Sequence, residues 1–166
     1  MAINKTLPGP QVVSKRVIAN DVLSQNGFGP SFGLTQPANS IIEKIYVRFL
    51  TQPSIATGCS IGFEAGTDAD IDDIVNQSGD DDASDNILDA ASADPAVIPV
   101  NTIFDLTSST GGGWVGQGLA TGDAATETAS NLVTEETDIQ FRFRLSNHAI
   151  TTNAKVEVSF VFRVFE

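Results

Sequence analysis

Gly58-Cys59-Ser60-Ile61-Gly62 fits G-x-S-x-G, the nucleophile elbow of serine hydrolases, with Asp residues and then His148 following in the order that fold uses. The chemistry would be attack by the Ser60 hydroxyl after histidine takes its proton, with a carboxylate orienting the histidine. It requires a strand, a sharp turn and a helix on an alternating α/β sheet. Here the motif runs into Phe63 and Glu64 with strand character, helices are scarce, and His148 falls in a loop. A small serine hydrolase using Ser60 is therefore a remote alternative, and the expectation is a non-enzyme with no catalytic residue.

Asp68-Ala69-Asp70-Ile71-Asp72-Asp73 places carboxylates at alternate positions, a spacing that can converge on calcium. The EF-hand loop also needs Gly at its sixth place and Glu at its twelfth, and those places hold Asp73 and Gly79. Asp80-Asp81-Asp82 with Asp85 could supply a looser site, but the plainer expectation is a solvated acidic loop and no specific metal. The chain has no P-loop and no dinucleotide fingerprint, so no cofactor is expected. Gly111-Gly112-Gly113 leads flexibly into Trp114, which either enters the core or stands as an exposed anchor.

These residues sit in a chain of 166 residues with a net charge of −12 and 41% hydrophobic residues. That length suits one domain, able to bury roughly 70% of its unfolded surface. Ten Phe against one Trp and one Tyr imply aromatics meant for burial. A single Cys59 excludes an internal disulfide. No run approaches the ~18 apolar residues of a membrane helix, and the first residues lack the apolar centre of a signal peptide. Synthesis in a cytoplasm is the corresponding expectation.

The charge is segregated. Residues 49–141 contain seventeen acids and no Lys or Arg, whereas residues 1–48 and 142–166 are each net basic. Such a field repels nucleic-acid phosphate and anionic membrane, so neither is an expected partner.

Period-2 alternation is the strongest structural signal. Ile45, Val47 and Phe49 share one face, as do Ile139, Phe141, Phe143 and Leu145, and again Val156, Val158, Phe160, Phe162 and Val164. Such alternation marks antiparallel strands with one buried face. Ser146–Asn153 is expected as a hairpin loop between the last two. Weaker strands are expected at Ser60–Glu64, Val97–Val100, Thr102–Leu106, Trp114–Leu119 and Asn131–Thr134, and a helical turn at Thr67–Gln77. Many short strands divided by Gly, Pro and Asp predict an all-β antiparallel sandwich, jelly-roll-like. Residues 1–40, dense in Gly, Pro, Asn and Ser, are expected as an extended N-terminal arm against a neighbour or the domain's own sheet, and residues 41–166 as the sandwich.

Ile45-Tyr46-Val47-Arg48, Cys59-Ser60-Ile61-Gly62, Gly66-Thr67-Asp68-Ala69-Asp70 and the later Val115-Gly116-Gln117-Gly118 resemble a pattern of tailed-phage virion proteins. Over about residues 42–166 the chain is similar to small jelly-roll cement, or head decoration, proteins of bacteriophages. The resemblance implies a sandwich on the outer capsid surface of a virion, bound to the major capsid protein, often as a homo-oligomeric trimer or dimer. It brings no catalytic residues. The basic strand faces and the arm are the expected interface, through Lys15, Arg16, Phe28 and Phe32, then Arg48 and Trp114, then Arg142, Arg144 and Arg163. A tail or fibre module that binds a host receptor or glycan is the alternative.

Overall fold

The computed structural model describes residues 9–25, 27–55, 60–67, 88–89, 96–106, 132–145 and 150–165. In chain order the strands are β1 (Gln11–Ala19), β2 (Phe32–Gln36), β3 (Ser40–Phe49), β4 (Ser54–Ile55), β5 (Ser60–Thr67), β6 (Leu88–Asp89), β7 (Ala96–Val97), β8 (Ile103–Asp105), β9 (Thr137–Leu145), β10 (Ile150–Thr152) and β11 (Val156–Val164). There is no helix among the described residues.

Two four-stranded sheets form the body, ordered β1-β11-β3-β8 and β2-β9-β5-β6, and every pairing is antiparallel. A small sheet, β10-β4-β7, accompanies them. The pairs β1 with β11, β2 with β9, β3 with β8, and β5 with β6 are nested first with last. That nesting is a long hairpin rolled into two layers, the jelly-roll arrangement. The chain is thus an antiparallel β-sandwich.

The segment expected as an arm lies against the domain's own sheets from Gln11 to Gln36. β1 runs the length of β11, from Gln11 opposite Val164 to Ala19 opposite Val156. β2 pairs with β9 from Phe32 opposite Phe141 to Gln36 opposite Thr137. A tight turn then reverses the chain. Asn39 takes φ 52°, Ser40 Oγ donates to the Pro37 carbonyl at 2.6 Å, and buried Gln36 donates through Nε2 to the Ser40 carbonyl at 3.0 Å.

The core is where the two alternating faces meet. Ile139, Phe141, Phe143 and Leu145 of β9 oppose Ile45, Val47 and Phe49 of β3 and Val156, Val158, Phe160 and Phe162 of β11, all buried. Phe141 and Phe160 touch across the layers with centroids 5.9 Å apart, and Phe49 meets Phe143 edge-on at 6.4 Å. Offset and edge-on packing suits the aromatic quadrupole.

β9 and β11 are not hairpin partners as expected. They lie in opposite sheets, β9 between β2 and β5 and β11 between β1 and β3, with their apolar faces toward each other. The connection contains β10, and Asn153 secures the chain just after that strand. Its Oδ1 accepts from the amides of Leu23 and Ala154, and its Nδ2 donates to the Leu23 carbonyl.

Candidate functional site

The outer face of the β2-β9-β5 sheet carries a compact cluster. Period 2 along β9 turns Gln140, Arg142 and Arg144 away from the core, and their cross-strand neighbours on β5 are Gly66, Glu64 and Gly62. Arg142 donates through Nε to Glu64 Oε2 at 2.6 Å, and its Nη2 lies 2.6 Å from the same oxygen. Glu64 is buried, with only 3% of its surface exposed. Phe28 forms an isolated bridge opposite Arg144. Its ring lies 4.0 Å from the Arg142 guanidinium carbon and 5.2 Å from that of Arg144. Cations over an aromatic face are attracted to it, so Phe28 and Glu64 hold Arg142 from two sides.

Backbone geometry delivers Phe28 to this position. Gly27, at φ 95°, accepts at its carbonyl from the Leu145 amide at 2.6 Å, and Gly29 donates to the Phe143 carbonyl at 2.8 Å. A Cβ on Gly29 would lie 1.9 Å from the Val22 carbonyl oxygen, so the chain passes too close there for any side chain. Beside the cluster, Gly33, Leu34, Thr35, Asp138, Ile139 and Gln140 line an open depression of about 320 Å³, with Thr35 Oγ1 donating to Asp138 Oδ1 at 2.9 Å.

The outer face of the β1-β11-β3-β8 sheet is a mosaic of charge and apolar surface. Glu157 lies between Arg16 at 3.7 Å and Arg48 at 4.0 Å, and Arg163 pairs with Glu43. Arg48 also donates through Nε and Nη2 to Asn101 Oδ1. The ammonium of Lys44 lies 5.9 Å from the Tyr46 ring centroid, and hydrogen bonding to Tyr46 raises its pKa above the ordinary 10.5. Between these polar groups Val12, Ile18 and Ile103 are 65%, 57% and 60% exposed.

The expected interface residues therefore separate into distinct places. Phe28, Arg142 and Arg144 come together on one sheet. Arg16, Arg48 and Arg163 lie on the other. Phe32 is part-buried and stacks on Phe141 with centroids 5.6 Å apart. Lys15 shares the inward side of β1 with Val13 and Val17, and its Nζ donates to the Thr35 carbonyl at 2.6 Å, bridging β1 and β2. Trp114 lies outside the described residues, as do His148, Cys59 and the Asp runs from Asp68 to Asp85. Ser60 opens β5, and strand continues to Thr67, so the helix that a nucleophile elbow needs does not follow it. Among the described residues no group of three or more His, Cys, Asp or Glu gathers as metal ligands.

Sequence reasoning missed the exposed Val12 and Ile18. The signal was present: in Gln11–Ala19 they share parity with Ser14 and Arg16, and so fall on the wetter side.

The fold and its surfaces define an all-β jelly-roll sandwich whose distinctive residues lie on outer sheet faces. Its structure is similar to the cyanophage Pam1 capsid asymmetric unit, with a TM-score of 0.44 and 10% identity, covering 99% of this chain and 93% of that chain. No protein-family model and no curated protein matches the sequence.

Proposed function

We propose that this chain is a virion structural protein, a capsid cement or decoration protein that binds the outer surface of a major capsid shell and stabilises it. The observation that carries the reading is the outer face of the β1-β11-β3-β8 sheet, where Val12, Ile18 and Ile103 stand exposed among Arg16, Arg48 and Arg163. Protein interfaces enrich arginine and keep the buried centre of the patch apolar. The resemblance of residues 42–166 to jelly-roll cement proteins points the same way.

The partner is the major capsid protein, with self-association into a dimer or trimer, and nucleic acid and membrane play no part. The activity is adhesion and not catalysis. Inertness toward a serine-reactive fluorophosphonate accords with this, and labelling at Ser60 contradicts it. Shell stability tests the cement role. Capsids of the parent phage saturated with the protein should release DNA at a higher temperature than bare capsids. Identical release temperatures contradict the role.

A second reading, a tail or fibre module that binds a host receptor or glycan, draws on the polar depression at Thr35, Asp138 and Gln140. Glycan-array binding lost on Asp138→Ala would favour it.

A further inference from the structure

An unpaired strand edge is a row of amides and carbonyls that invites another strand, and folded proteins usually cover it. Other edges here are covered in part. Beside β3, Asn101 donates to the Phe49 carbonyl, Leu106 donates to the Ile45 carbonyl, and Ser40 and Val133 exchange both backbone bonds. At β2, the Lys15 ammonium sits on the Thr35 carbonyl. At β5, β6 pairs with its first residues. β1 is the longest strand that ends a sheet, and from Val12 to Ala19 it pairs with β11 alone among the described residues.

We infer that β1 is a self-association edge, at which a second copy of this chain pairs antiparallel about a two-fold axis passing through Lys15. The sequence of the strand selects both partner and register. Residues opposite one another in an antiparallel pair lie on the same face and interact directly. With the axis at Lys15, Val12 meets Ile18 of the second copy and Ser14 meets Arg16 on the outer face. On the inner face Val13 meets Val17. All four apolar side chains of the strand that are left half-buried or exposed thereby gain apolar partners. Moving the axis to Ser14 sets Val12 against Arg16 and Val13 against Lys15. Moving it to Arg16 sets that arginine against itself. The adverse feature of the chosen register is Lys15 beside its own copy, each ammonium held toward its own Thr35 carbonyl. Together with a net charge of −12 on each chain, this makes the dimer weaken at low salt and tighten as salt screens the repulsion.

The inference deepens the self-association in the proposed function, and it is measured on the isolated protein. Failure to bind capsids leaves its test unaffected, and a monomeric result leaves the capsid test unaffected. Sedimentation of the full chain over a wide dilution series should show a monomer–dimer equilibrium that shifts toward dimer with added salt. Ile18→Lys, at an exposed position, should shift it toward monomer without changing the thermal unfolding of the dilute monomer. On a Cys59→Ser background, the double variant Val12→Cys with Ile18→Cys should form a covalent dimer under mild oxidation. Val12→Cys alone, whose two copies stand far apart in this register, should not. A monomer at every concentration, an unaltered equilibrium in Ile18→Lys, or equal cross-linking by the single-cysteine variant would overturn the inference.

Discussion

Arg142 holds Glu64 with two of its nitrogens, each 2.6 Å from one carboxylate oxygen, on the outward side of a sheet where Glu64 is nonetheless buried. A charge so placed depends on its partner, because the attraction offsets desolvation only while both are present. Truncating one member strands the other. Glu64→Ala should cost about 3 kcal/mol in denaturant unfolding, and adding Arg142→Met should recover part of that loss. A loss below about 1 kcal/mol would place the pair with ordinary surface ion pairs.

Gly29 is tested by its smallest replacement. The Cβ of Gly29→Ala would collide with the Val22 carbonyl and push the backbone away from Phe143. The expected destabilisation is about 2–3 kcal/mol, typical of forced overpacking. Gly33→Ala is the control, since its Cβ would meet only the Ile139 carbonyl at 3.7 Å. A similar unfolding midpoint for both variants would contradict the close approach at Gly29.

Asn153 replaces missing strand contacts with three hydrogen bonds, two of them to Leu23. Asn153→Ala should cost about 2 kcal/mol, the sum of a few bonds worth about 1 kcal/mol each, less some replacement by water. Hydrogen exchange at the Leu23 amide should accelerate more than exchange at Val158 in β11. Equal acceleration would mean that the residue acts globally and not as a local clamp.

Phe141 is the centre of the aromatic core, in contact with Phe32, Phe63 and Phe160. Phe141→Ala should cost about 3–5 kcal/mol, whereas Phe165→Ala, at an exposed ring, should cost well under 1 kcal/mol. Comparable losses would refute the assignment of inner and outer faces.

The inner faces were legible because period 2 is a direct consequence of strand geometry, and β9 and β11 display it without interruption. Ile42 was less legible. It lies three residues before Ile45, yet both are buried, because a register shift opposite Val161 and Phe162 places an extra residue in β3. A bulge of this kind breaks the alternation that announces a strand. β1 and β2 were hard to read for a different reason. Lys15 occupies an inward position in β1 and polar Gln36 the most buried position in β2, so neither strand shows a clean apolar side. The separation of β9 from β11 follows from topology, which local periodicity does not encode. At the site, Arg142 and Arg144 were legible by their parity on β9, but their meeting with Phe28 depends on the passage at Gly29, set by contacts distant in sequence.

On the proposed function, the outer face of the β1-β11-β3-β8 sheet adheres to a capsid shell. Co-sedimentation of the purified protein with intact capsids of the phage that the proposal assigns it to is the sharpest test, alongside a variant carrying Val12→Glu and Ile103→Glu. The account predicts saturable pelleting of the native chain at a fixed number of copies per shell, and a variant that folds but stays in the supernatant. A native chain that stays in the supernatant at every ratio, or a variant that pellets equally well, would contradict it.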